Sequence, residues 1–261
     1  MADPEPQFIS VGNGVAERRI ATIIEARTAD KPGLMWLPGF KSEMGSLKAA
    51  ALAEFAREQG LSMARFDYSG HGRSGGDFDS CTLGDWLDEA KTVFMQLTTG
   101  PQIVIGSSMG GNVALLLLRA LLREAPEHAQ RISALVLIAP AWDMADLIWG
   151  KLSEAARRDI MDKGVYLRPS AYGDGPYRIT RRLIEEGRLH RISAEAFDPG
   201  RPVHILHGLQ DPDVPWEHSL DLVAHLSGDW TQVSAVPDGD HRLSRPEDLA
   251  LLQTIVAGCL V

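Results

Sequence analysis

The sequence predicts an α/β fold: a mostly parallel sheet of about eight strands flanked by helices, with a small helical cap. Three observations carry this expectation. Short, largely apolar runs (33–37, 103–105 and 131–138) alternate with longer stretches of helical character. Strands buried on both faces of a parallel sheet read this way. The run at Ile103 passes through Gly106-Ser107-Ser108-Met109-Gly110 directly into a leucine-rich stretch, 112–118, that reads as a buried helix. Finally, a chain of 261 residues that is 44% hydrophobic is long enough to bury a sizeable core. We expect one domain over 1–261, with the cap inserted at about 142–200.

In chain order, 7–11 and 18–27 suggest two strands, with Gly12-Asn13-Gly14 as a hairpin turn, since Asn and Gly both tolerate positive φ. The strand at 33–37 runs into Pro38-Gly39-Phe40. A helix is expected from about Glu43 to Gln59 and closes at Gly60. After a short strand at 61–66 comes Asp67-Tyr-Ser-Gly-His-Gly-Arg-Ser74. This loop is glycine-rich but lacks the spacing of a nucleotide-binding fingerprint, so it reads as a turn. A helix is expected over 82–97, then the strand and turn at Ser108, then a strand at 131–138. From Trp142 to Pro199 the alternation breaks into helical pieces joined by turns, placed where an excursion covers the carboxyl edge of a sheet. Its aromatic and apolar residues, Trp142, Leu147, Ile148, Trp149, Tyr166, Tyr172 and Tyr177, either line a pocket or pack the cap. A strand at 202–207, a helix at 215–226, a strand at 230–236 and a helix at 245–257 complete the chain.

The Gly-x-Ser-x-Gly turn between a strand and a helix is the geometry of a nucleophile elbow. It lifts the Ser108 hydroxyl clear of the sheet and sets it at a helix N-terminus, where free N–H groups favour negative charge. The N–H of Met109 is then a natural oxyanion donor. A serine hydroxyl needs a general base, and the base needs an orienting acid. In chains built on this elbow the acid and then the histidine follow the serine. His241 has the best context, a polar turn between the last strand and the last helix. His204 and His207 sit in or at the end of a strand, and His71 in the glycine loop reads as structural. His128, His190, His218 and His225 lie on helices or helix ends and read as surface residues. For the acid, Asp211 and Asp213 both follow a strand at its carboxyl end, and Asp143 follows the preceding strand. Asp211 is favoured because the earlier aspartate of such a loop lies nearer the sheet, while Asp213 suits capping of the next helix. Asp240 reads as a turn residue. The second oxyanion donor is expected at the N–H of Phe40, whose ring would wall the acyl site.

The formal charge of −9 argues against nucleic acid and anionic membrane as partners. No apolar run reaches membrane-spanning length. Cys81 and Cys259 are far apart and read as reduced structural residues of an intracellular, cytoplasmic protein. The acidic, proline-containing start, 1–7, has the character of neither a secretory signal nor a transit peptide.

Taken together, Leu37-Pro-Gly-Phe40, the 67–74 loop, Gly106–Gly110, His207-Gly-Leu-Gln-Asp211 and Gly239-Asp-His241 resemble the α/β-hydrolase superfamily over nearly the whole chain. Within it, Arg65–Gly70, Gly100–Gly111, Asp211–Trp216 and Asp240-His-Arg242 are similar to the mitochondrial palmitoyl-protein thioesterase group, also described as acyl-glucuronide esterases. The resemblance implies the α/β-hydrolase fold, hydrolysis of acyl thioesters or esters, and Ser108, Asp211 and His241 as nucleophile, acid and base. This chemistry calls for no metal or organic cofactor. A serine peptidase or perhydrolase would use the same triad, and a non-catalytic binding protein would keep the fold without the chemistry.

Overall fold

Side-chain alternation along the central strands decides how the layers assemble. In the computed structural model, which describes residues 4–27, 31–169 and 175–260, β3 (Gly33–Leu37) is buried throughout. Its Leu34 and Trp36 face one apolar layer, and Met35 and Leu37 the other. The same division holds in β5 (Gln102–Ser107), with Ile103 and Ile105 opposite Val104, and in β6 (Ile132–Ile138), with Val136 opposite Leu135 and Leu137. Successive side chains point to opposite faces, so a strand covered on both sides must be apolar at every position.

The outer strands are β1 (Gln7–Val11), β2 (Arg18–Glu25) and β4 (Met63–Phe66) on one side, and β9 (Val203–Gly208) and β10 (Thr231–Val236) on the other. The eight form one sheet in the order β1-β2-β4-β3-β5-β6-β9-β10. β2 is antiparallel to both β1 and β4, and the other neighbouring pairs among these described strands are parallel. One face is covered by α1 (Leu47–Gln59), and α9 (Pro246–Gly258) joins it there. The other is covered by α2 (Leu83–Leu97), α3 (Met109–Glu124) and α8 (Trp216–His225). The short α4 (Pro126–Ala129) links α3 to β6. Thr82 and Asp85 form a reciprocal cap at the start of α2.

Several boundaries depart from the sequence expectation for identifiable reasons. The first hairpin is not closed on Asn13: its φ is −137°, the left-handed residues are Gly12 and Gly14 on either side of it, and a 3-10 turn from Gly14 to Ala16 lengthens the link. Helix α1 begins at Leu47, not Glu43, because the Met44 N–H is held by the Asp67 carboxylate at 2.7 Å.

Between β6 and β9 the chain forms α5 (Met144–Lys151), α6 (Glu154–Lys163), β7 (Val165–Arg168), β8 (Tyr177–Thr180) and α7 (Arg181–Gly187). The β7–β8 antiparallel pair was not expected in a stretch predicted to be helical. Leu152, Ile160, Ile179 and Ile184 give this excursion a small core, with Trp149, Tyr166 and Tyr177 packed on it. Trp142, at its root, is buried between two histidines. Its ring stacks on His218 at 5.2 Å and on His225 at 5.5 Å. Its Nε1–H donates to the His218 carbonyl at 2.7 Å, and His218 Nε2–H donates to the Trp142 carbonyl at 2.8 Å. His225 Nε2–H donates to the Ile192 carbonyl. His218 and His225 are therefore packing residues rather than the surface residues expected. Tyr172 lies outside the described residues.

Candidate active site

The elbow is built by close approach. Ser108 sits between β5 and α3 with φ 54° and ψ −114°, a strained conformation for a non-glycine residue. A Cβ at Gly106 would overlap the Gly110 carbonyl, and one at Gly110 would overlap the Leu37 carbonyl, so glycine is required at both positions. The Ser108 N–H donates to the Ile138 carbonyl at 2.8 Å, tying the turn to the next strand.

The carboxyl ends of β5, β9 and β10 bring Ser108, Asp211 and His241 together. Ser108 Oγ lies 3.1 Å from His241 Nε2, and His241 Nδ1 lies 2.7 Å from Asp211 Oδ2. With Nδ1–H donating to the carboxylate, Nε2 is the nitrogen left to accept the serine proton. Asp211 Oδ1 accepts from the N–H groups of Asp213 and Val214, each at 2.8 Å. Burial works to raise the Asp211 pKa, but hydrogen bonds from His207 and His241, the charge of His241 and the Val214 N–H outweigh it and hold the carboxyl well below its ordinary range.

His207 is a member of this cluster that sequence reasoning passed over. It is fully buried, with Nε2 2.9 Å from the Val214 carbonyl and 3.4 Å from Asp211 Oδ2, and Nδ1 2.6 Å from Ser219 Oγ. Two acceptors at Nε2 place its proton there, so Nδ1 accepts from the Ser219 hydroxyl. The available signal was His207 standing four residues before Asp211 in one strand–loop.

The competing acids are otherwise engaged. Asp143 accepts from the N–H groups of Ile192 and Ser193, and Asp240 accepts from those of Arg242 and Leu243, as a turn residue does. Asp213 does not cap α8, which has no side-chain cap. Its carboxylate instead lies 3.9 Å from Arg168.

Gly39 presses the 38–40 turn against the elbow: a Cβ there would sit 3.2 Å from the Ser107 carbonyl oxygen and 3.5 Å from Ser108 Cβ. Among the described residues, no acceptor is paired with the N–H of Phe40 or of Met109. The Phe40 ring packs on Phe78, Tyr177 and Trp86 with centroids 5.0, 5.9 and 6.1 Å away, joining the main body to the excursion. Ser108, His241 and Phe40 open into a cavity of about 560 Å³. Leu147, Ile148 and Tyr177 line it, whereas Trp142, Trp149 and Tyr166 pack elsewhere. Met144 and Ile179 line it as well, and nothing in their sequence neighbourhood distinguishes them.

Residues 30–166 match the family Hydrolase_4, described as serine aminopeptidase, S33. The chain is 35% identical over 222 residues to the mitochondrial palmitoyl-protein thioesterase ABHD10 of Bos taurus, covering 85% of this chain and 70% of that protein. Its structure resembles a putative hydrolase from Agrobacterium vitis S4, with TM-score 0.94, 41% identity, and 98% and 99% of the two chains covered. It also resembles alpha/beta hydrolase domain-containing protein 10 from mouse, with TM-score 0.85, 31% identity and 98% of each chain covered. The curated relative is mitochondrial by name and lends no support to the cytoplasmic location expected from the sequence. Among the described residues, no helix is long and apolar enough to cross a membrane.

Proposed function

The chain belongs to the α/β-hydrolase family that contains these thioesterases, and from that premise we propose that it cleaves acyl esters or thioesters through an acyl-enzyme on Ser108. One observation carries the reading: the serine–histidine–aspartate chain of contacts, at 3.1 and 2.7 Å, opens into a cavity with an apolar wall. His241 takes the Ser108 proton as the hydroxyl attacks the acyl carbon. Asp211 holds the imidazole tautomer and stabilises the imidazolium. The N–H groups of Phe40 and Met109 receive the oxyanion. The leaving thiol or alcohol departs with the proton from His241, and water, activated by the same histidine, releases the acid. In this reading residues 142–200 cap the site, with Met144, Leu147, Ile148 and Ile179 beside the acyl chain.

The family description raises an aminopeptidase as the rival on the same triad. An aminopeptidase must hold a substrate ammonium, for which carboxylates are suited. Among the described residues lining the cavity, Asp213 alone carries one, and it is engaged with Arg168. A binding protein without chemistry has no need of a strained serine hydrogen-bonded to a buried His–Asp pair.

The test compares matched oxygen esters and thioesters from acetyl to palmitoyl, with Ser108→Ala as control. Thioester preference rising with chain length is expected, with turnover and fluorophosphonate labelling both lost in Ser108→Ala. Wild-type turnover in that variant would sink the reading.

A further inference from the structure

The chain is strongly acidic, with a formal charge of −9, yet its cavity is cationic. Lys41, Lys48, Lys151, Arg168 and Arg242 line it, against Asp213. Among the described residues, lysine ion pairs are those of Lys91 and Lys163, on α2 and α6, so the cavity lysines face neutral acceptors. Lys48 donates to the Arg242 carbonyl, Lys151 to the carbonyls of Pro212 and Asp213, and Lys41 stands over the Phe78 ring at 4.3 Å. Burial and then the nearby charge of Arg242 lower the Lys48 pKa to about 8. Lys48 is half-buried, whereas Arg242, Lys41 and Lys151 are exposed; the charges of Asp240, Asp248 and Asp211 offset the burial of Lys48 only in part, and an anion beside it would offset the rest.

Placement says which end of the substrate carries that anion. His241 must hand its proton to the leaving atom, so the leaving group lies on the His241 side. Arg242 is the next residue, and Lys48 is bonded to its carbonyl. Gly45, Ser46 and Leu47, the residues leading into the first turn of α1, line the cavity beside Lys48. Ser46 makes no side-chain cap, its Oγ is shielded with no hydrogen-bond partner, and the first N–H groups of the helix remain to donate. A carboxylate would offset one of these charges. A phosphate offsets more and presents tetrahedral oxygens to several donors at once.

We propose that the leaving group is a thiol or alcohol bearing a phosphate, seated between Lys48, Arg242 and the first turn of α1. The proposal rests on the hydrolase reading above. In the step it describes, the Ser108 Oγ–acyl bond forms and the acyl–sulfur or acyl–oxygen bond breaks. The Ser108 proton passes through His241 to the departing atom.

The experiment uses the full chain and three octanoyl thioesters of equal acyl length: of pantetheine, of phosphorylated pantetheine, and of mercaptopropionate, which carries a carboxylate. At low ionic strength kcat/KM is expected to be about tenfold higher for the phosphorylated thioester than for the neutral one, a gap that salt closes. In Lys48→Gln the ratio of the two falls toward one, and because a ratio is read, a general loss of activity does not imitate the effect. Equal kcat/KM for the phosphorylated and neutral thioesters, or a preference for the carboxylate, overturns the proposal. Ser108-dependent turnover of the neutral thioester leaves the hydrolase reading standing in either case. No turnover of any of the three, with no Ser108-dependent hydrolysis of the matched oxygen esters either, overturns both.

Discussion

His207 shows what one buried side chain contributes to the proposed Ser108–His241–Asp211 triad without belonging to it. Its Nε2–H is shared between the Val214 carbonyl and Asp211 Oδ2, and the Ser219 hydroxyl fixes the ring from the other side. Asp211 thus receives four N–H donors from His241, His207, Asp213 and Val214. A hydrogen bond to a charged group is worth roughly 1.5–3 kcal/mol. His207→Leu removes one and frees the carboxylate to rotate away from His241. A ten- to hundredfold fall in kcat is expected, roughly the rate equivalent of that energy, with KM little changed, because the acyl wall is untouched. His207→Gln retains an N–H donor and should recover part of the loss. A matched fall for both variants that follows only their loss of folded protein would show a purely structural role.

At the scale of elements, the strands and the elbow were legible in the sequence because their causes are local. A strand covered on both faces must be apolar throughout, and the close approaches at Gly106 and Gly110 leave glycine as the residue that fits. The excursion was less legible because its causes are distant. β7 and β8 are four residues each, with Arg168 and Arg178 among them, so no apolar run marks them. Trp142 finds its partners in α8, far along the chain, and nothing near it in sequence distinguishes a pocket aromatic from a packing one. That clamp makes a prediction. Trp142→Ala removes two stacked contacts and a buried indole hydrogen bond at the root of the excursion. It should destabilise the protein by about 3–5 kcal/mol in urea unfolding. Limited proteolysis should then cut first within 142–200, and the sheet strands should be cut later. Simultaneous cleavage throughout would mean that the excursion and the sheet unfold as one unit.

The whole molecule combines an acidic surface with buried groups that must stay in one protonation state, and this sets its response to acid. The cationic cavity was not legible as a set, because its members come from separate helices, a strand and loops that meet only in the fold. His71 was read from the sequence as structural, and its surroundings give that a consequence. It is 4% exposed, with ring contacts to Phe78, Trp86 and Tyr68 at 5.1, 5.3 and 5.9 Å. Its Nδ1–H donates to the Ser69 carbonyl at 3.0 Å, and Nε2 is shielded without a partner. Burial first, and the Lys41 charge with it, lower its pKa from 6.5 to about 4 despite the Ser69 bond. A pKa lower in the folded than in the unfolded chain means that the fold is favoured with His71 neutral. That contribution is fully present above 6.5 and is lost as pH falls toward 4. At about 1.4 kcal/mol per pH unit the gap is worth roughly 3 kcal/mol. Asp211, also held below its ordinary value, adds a loss that begins only below 3.8. The two groups therefore act in successive windows. His71→Phe keeps an aromatic ring among aromatic neighbours, and the Ser69 carbonyl still receives the Trp86 indole N–H at 3.2 Å. The unfolding free energy of this variant should fall less steeply than wild type between pH 6.5 and 4 and in parallel with it below. Identical slopes in the upper window would assign the acid sensitivity to groups other than His71.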